Sequence, residues 1–144
     1  MKIIVDSVRW REFMMGITLG MLFLLPWSSF FGSAPYTNVE VTQVEVIGTE
    51  VLVTSNFTKS ECTFKRLEVF GTDFGETYNL GWSNQPVPGE ADKGTTYDRA
   101  VGHQTLRISV ETGGRAFDTI EIRTRHDCSG STVDKVFTTI NLNK

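Results

Sequence analysis

Residues 13–31 form an uncharged apolar run, whereas the chain beyond about residue 39 alternates apolar and polar side chains like half-buried strand. The two stretches need different surroundings, so the chain divides near residue 32. As a continuous helix the run would extend roughly 28 Å, close to the ~30 Å hydrocarbon thickness of a bilayer. Trp10 stands before it, and Trp27, Phe30, Phe31 and Tyr36 stand at its far end, the aromatic distribution expected at membrane interfaces. Lys2, Arg9 and Arg11 precede the run, and the next cation is Lys59. By the positive-inside rule the spacing predicts a cytoplasmic segment over 1–12, a single transmembrane helix over 13–31, a linker over 32–38 and an exported domain over 39–144.

A cleavable signal peptide is the alternative, with an apolar region over 14–25 that ends at Pro26. The small residues Gly32, Ser33 and Ala34 offer a cleavage site, but Pro35 follows directly and Trp27, Phe30 and Phe31 are bulky for that region. An uncleaved signal-anchor fits better. Gly16 and Gly20 are four residues apart, a spacing that lets two membrane helices approach closely and pair as a homodimer, although glycine is common in such helices anyway.

About 105 residues follow the linker, enough for one core and too few for two. They carry 11 Lys and Arg against 15 Asp and Glu, a balance of −4, with no basic stripe to attract nucleic acid. Cys62 and Cys128 both lie in this part. An even cysteine pair in a small exported domain predicts a disulfide, and the absence of C-x-x-C spacing argues against a redox or metal pair.

Residues 39–47 change parity between Val39/Val41 and Val44/Val46, which predicts a bulge or a switch between sheets. Over 50–57, Val51, Val53 and Phe57 share a face. Residues 62–70 are apolar on both faces, as in a central strand. A turn over 71–75 precedes a strand near 77–82. Leu106, Ile108 and Val110 form one inward face. Ile120, Ile122, Thr124, His126 and Cys128 form another, with Glu121, Arg123, Arg125 and Asp127 opposite. The last strand places Val136, Thr138, Ile140 and Leu142 inward. About seven short strands without a helical period predict an all-β antiparallel sandwich.

This pattern resembles an immunoglobulin-like or fibronectin type III-like domain in architecture. It departs from the immunoglobulin hallmarks: Cys62 opens the third strand, that strand has no tryptophan, and His126 stands where a tyrosine corner would place Tyr. If the third strand pairs antiparallel with the one ending at Cys128, the two cysteines meet at one end of the sandwich. The overall plan is also similar to that of small, N-terminally anchored bacterial and phage proteins.

The longest unpatterned stretch is 83–102, with Pro86, Pro88, Gly89 and Gly94 and at most a short strand near 95–100. Connections of this length are often binding loops. Trp82, Tyr97, Arg99 and Asp98 are its candidate binding residues, since tryptophan, tyrosine and arginine dominate interface hot spots. Trp82 equally suits a core plug. Stacking of a glycan on Trp82 and Tyr97, with Asn84, Asp92 and Asp98 on its hydroxyls, is an alternative. Glu90, Asp92 and Asp98 lack calcium-loop spacing. His103, His126 and Asp127 form no recognisable catalytic motif. The expectation is a non-catalytic module without cofactor or metal, anchored in the inner or plasma membrane. Its sandwich would face the periplasm or cell exterior and bind another envelope or surface protein. A glycan-binding module, an accessory single-pass subunit of a membrane complex and, last, a hydrolase are the rivals.

Overall fold

In the computed structural model, which describes residues 34–90 and 99–143, the alternating segments become strands. These are β1 (Tyr36–Ile47), β2 (Glu50–Lys59), β3 (Thr63–Asp73), β4 (Glu76–Leu80), β5 (Trp82–Asn84), β6 (Gly102–Glu111), β7 (Thr119–Cys128) and β8 (Ser131–Asn141). The expected membrane helix, with Gly16 and Gly20, and the loop residues Tyr97 and Asp98 lie outside the described residues. Among the described residues no helix is long and apolar enough to cross a membrane.

Two four-stranded sheets form, ordered β1-β2-β6-β5 and β4-β3-β7-β8, with antiparallel pairing throughout. The result is an all-β, two-sheet sandwich compatible with an immunoglobulin-like architecture. Period-2 alternation turns one face of each strand inward. Val51, Val53 and Phe57 of β2 and Leu106, Ile108 and Val110 of β6 pack against Leu67, Val69, Ile120, Ile122, Phe137 and Ile140 of the other sheet.

Cys62, immediately before β3, is bonded to Cys128 at the end of β7, with their Cα atoms 4.5 Å apart. Thr63 pairs with Asp127, so the start of one strand lies beside the end of the other, as expected. The bridge therefore joins neighbouring strands of one sheet, unlike the inter-sheet bridge of immunoglobulin domains.

The parity change in β1 is a bulge rather than a sheet switch. Two register irregularities, between Thr37 and Glu40 and between Val41 and Gln43, each insert one extra residue opposite β2. They keep both Val41 and Val44 on the inner face, opposite Ser55 and Val53.

Three sequence expectations are corrected. The single strand expected over 77–82 divides at Gly81: β4 belongs to one sheet and β5 to the other. The crossing is tight, because the Glu111 amide donates to the Gly81 carbonyl at 2.8 Å and a Cβ at Gly81 would lie 2.8 Å from the Glu111 carboxylate. The turn expected over 71–75 contracts to Phe74-Gly75, both with positive φ (48° and 80°), leaving Gly71 inside β3. In β8 a register irregularity opposite Ile122/Arg123 turns Val136 outward and Phe137 inward, the reverse of the alternation read from the sequence. One inserted residue exchanges the faces.

Gly71 makes room for Phe117, whose ring atoms would lie 2.7 and 2.8 Å from an added Cβ, with Leu80 at 2.9 Å. Phe117 and Leu80 are both buried and have little space to retreat. Gly71→Ala is expected to destabilise the domain by about 1–3 kcal/mol through overpacking, read as a lower denaturant midpoint with an unchanged m-value.

The outer face of the second sheet is charged. Arg125 holds Asp134 in a two-pronged pair at 2.6 and 3.0 Å, and hydrogen bonding from Arg125 keeps the Asp134 carboxyl below its usual range. The Arg123 guanidinium lies over the Phe70 ring at 4.9 Å. These exposed contacts order the face and contribute little to stability.

Candidate functional site

The stretch expected to be unpatterned over 83–102 begins instead as strand, with Ser83 and Asn84 in β5 at the edge of the first sheet. The Gln85 amide donates to the Arg107 carbonyl at 2.8 Å, and Arg107 Nη1 donates to the Pro86 carbonyl at 3.0 Å. Gln85 and Pro86 thus form one wall of a groove of about 270 Å³, completed by Ile47, Glu50, Leu52, Arg107 and Ser109. Leu52 lies opposite Ser109 across β2 and β6. It points outward between the inward Val51 and Val53, yet it is buried. Ser109 Oγ donates to a Glu50 carboxylate oxygen at 2.5 Å. The groove therefore has an apolar floor with a carboxylate and a guanidinium in its lining.

A second space lies between the sheets, about 40 Å³ in volume. Trp82, which packs against the core, and Arg99 both line it, together with Tyr36, Phe57, Phe64, Phe137 and others. Arg99 Nη1 donates to the Thr105 carbonyl at 2.5 Å. The structure thus brings two of the expected loop residues to the lining of one small, partly open space.

The cationic and aromatic groups around this space are tied down. The buried Lys59 ammonium donates to the Cys62 and Ser60 carbonyls at 2.7 and 3.2 Å, beside the disulfide. Tyr36 accepts a hydrogen bond from Thr124 at 3.1 Å and donates one to the Lys135 carbonyl at 3.4 Å. Burial pushes the Tyr36 phenol above its ordinary range, and the Thr124 hydrogen bond partly opposes that rise. His126 is buried, as its parity predicted, with its ring centroid 5.5 Å from those of both Tyr36 and Phe64.

Volume separates the two spaces. About 40 Å³ admits only a few waters. The outer groove, at about 270 Å³, approaches the ~300 Å³ lower range of ligand pockets. Leu52, Glu50 and Arg107 escaped the sequence reading, although one signal was present. The Val51-Leu52-Val53 run breaks the alternation, so one of its apolar side chains has to face out.

Asp127 faces outward, with Lys65 at 3.2 Å and Thr132 donating to it, while its neighbour His126 faces inward. Adjacent positions on one strand thus do not make a histidine–carboxylate pair. His103 is exposed near the start of β6. Among the described residues no group of three or more His, Cys, Asp or Glu is arranged to hold a metal ion.

No family model, no curated protein and no solved structure matches this chain.

Proposed function

We propose that this chain is a non-catalytic, membrane-anchored module whose sandwich, held outside the cytoplasm, binds an extended segment of another envelope or surface protein. The observation that carries this reading is the outer groove: a buried Leu52 floor with Glu50 and Arg107 in the lining, walled by the start of the long connection. An apolar anchor point with fixed polar groups around it suits side-chain recognition. The apolar run over 13–31 and the Cys62–Cys128 bridge support an anchored, oxidising location. Tethering would raise the effective concentration of the groove at the membrane.

Crosslinking in intact membranes tests the reading. Arg107→Glu is expected to reduce a specific protein adduct at least tenfold while leaving the melting temperature within about 2 °C, since the site is on the surface. An adduct unchanged by Arg107→Glu but lost in Tyr97→Ala or Asp98→Asn would move recognition from the groove to the rest of the loop. Retention on peptidoglycan or polysaccharide with no protein adduct would favour the glycan alternative.

A further inference from the structure

We infer that the outer groove selects an extended segment with a fixed charge order: a basic, an apolar and an acidic side chain at alternate positions. This rests on the groove being the binding site and adds the chemistry of the segment it takes. Three cross-strand rows order that chemistry. Glu50 lies opposite Glu111, Leu52 opposite Ser109, and Thr54 opposite Arg107. The rows are two residues apart on β2, so they share the outer face and follow one another at roughly 6.6 Å. Along β2 the face thus presents two carboxylates, then the buried Leu52, then a guanidinium.

The charges of these rows lack counterparts within the chain. Among the described residues, the Glu50 carboxylate accepts from Ser109 Oγ at 2.5 Å but has no cationic partner, and neither has Glu111. Arg107 donates to the Pro86 carbonyl rather than to a carboxylate. Like charges directly opposite one another on a sheet are destabilising, so Glu50 and Glu111 gain from a cation set between them. The outer face of the second sheet is different. There Arg66 pairs with Glu68, Arg125 with Asp134 and Lys65 with Asp127. That face neutralises itself, whereas on the groove face the Leu52–Ser109 row stands between the carboxylates and the guanidinium.

Spacing and charge together choose the occupant. An extended segment laid along β2 sends every second side chain down at the same interval as the rows. It brings a cation to Glu50 and Glu111, an apolar group to Leu52 and a carboxylate to Arg107 at once, and it does so running in either direction. A segment basic at both ends sets a cation on Arg107, and one acidic at both ends sets a carboxylate on Glu50 and Glu111, so like-charge contact rejects both. With adjacent rather than alternate side chains, only one or two of the three groups reach their rows. The groove is small, at about 270 Å³, so binding of a short peptide is expected to be weak and its selectivity electrostatic.

Fluorescence anisotropy with the full chain in detergent and four labelled, end-blocked peptides, titrated to millimolar concentration, provides the test. The peptides are Lys-Thr-Leu-Thr-Glu, the like-ended Lys-Thr-Leu-Thr-Lys and Glu-Thr-Leu-Thr-Glu, and the spacing control Lys-Leu-Glu-Thr-Thr. The first is expected to bind at least tenfold more tightly than the other three. Arg107→Glu should reverse the order of the first two, and Glu50→Gln/Glu111→Gln should weaken the first at least fivefold with unchanged melting. Leu52→Asn should weaken all four. Binding within twofold for all four peptides, or an order unchanged in Arg107→Glu, overturns the charge order. If that indifferent binding is still lost in Leu52→Asn, with the fold retained by circular dichroism, the groove stands as the site and only its selectivity falls. Binding that ignores Leu52→Asn and Arg107→Glu alike, or no binding at all, overturns the groove as well.

Discussion

Replacement of both Cys62 and Cys128 by alanine is expected to lower the melting temperature by about 15–20 °C. The bridge closes a loop with a sequence separation of 66. Opening it restores chain entropy to the unfolded state, equivalent to roughly 4 kcal/mol in the loop-closure model. A total of only about 5–15 kcal/mol is usual for a domain, and each kcal/mol moves the midpoint by about 4 °C or more at this size. The folded state should change little, because β3 and β7 remain paired from Thr63 to Thr72. Circular dichroism melts of the double variant, and of the native chain with reductant, should agree. A shift below about 5 °C would show that the unfolded chain is already restricted by other means.

Truncation of Phe137 to alanine is the second large effect, about 3–5 kcal/mol of destabilisation. Its ring lies edge-on to Tyr36 and Phe57, with centroids 5.1 and 5.3 Å away, and all three rings line the small, partly open space between the sheets. Removing the ring enlarges a space that already exists, and neighbours on two rigid sheets can close it only in part. Val136→Ala is the control. Val136 is 45% exposed and faces the outer side, so its truncation should cost at most about 0.5 kcal/mol. Strict alternation along β8 predicts the opposite ranking, so chemical denaturation of these two variants reads out the exchange of faces directly.

The same strand shows where sequence reading ends. Alternation reports on one strand at a time, and a bulge is a property of two. The extra residue at Phe137 is visible only against β7, where the ladder runs from Ile122–Thr138 to Arg123–Val136. β1 is the instructive contrast, because its valines themselves change parity and the irregularity was legible before any pairing was known. Gly81 was not legible. Its neighbours continue to read as strand, and only the approach of Glu111 from β6 divides β4 from β5. The groove escaped for a related reason. Leu52 and Arg107 are distant in the chain and become neighbours only through the register of β2 on β6. Trp82 and Arg99 were singled out by residue type in a long connection, and the fold brings both to the small space between the sheets.

By itself the sequence determined most of the strand-forming segments, the inward faces of β2, β6 and β7, and the cysteine pair, because side-chain periodicity and thiol count are local or compositional properties. Tertiary structure alone decided which sheet each strand joins, where bulges exchange faces, that the disulfide lies within one sheet, and which side chains share a groove. Those outcomes depend on register between segments far apart in the chain. Register is set by the summed packing of two sheets, and no single window of residues contains it.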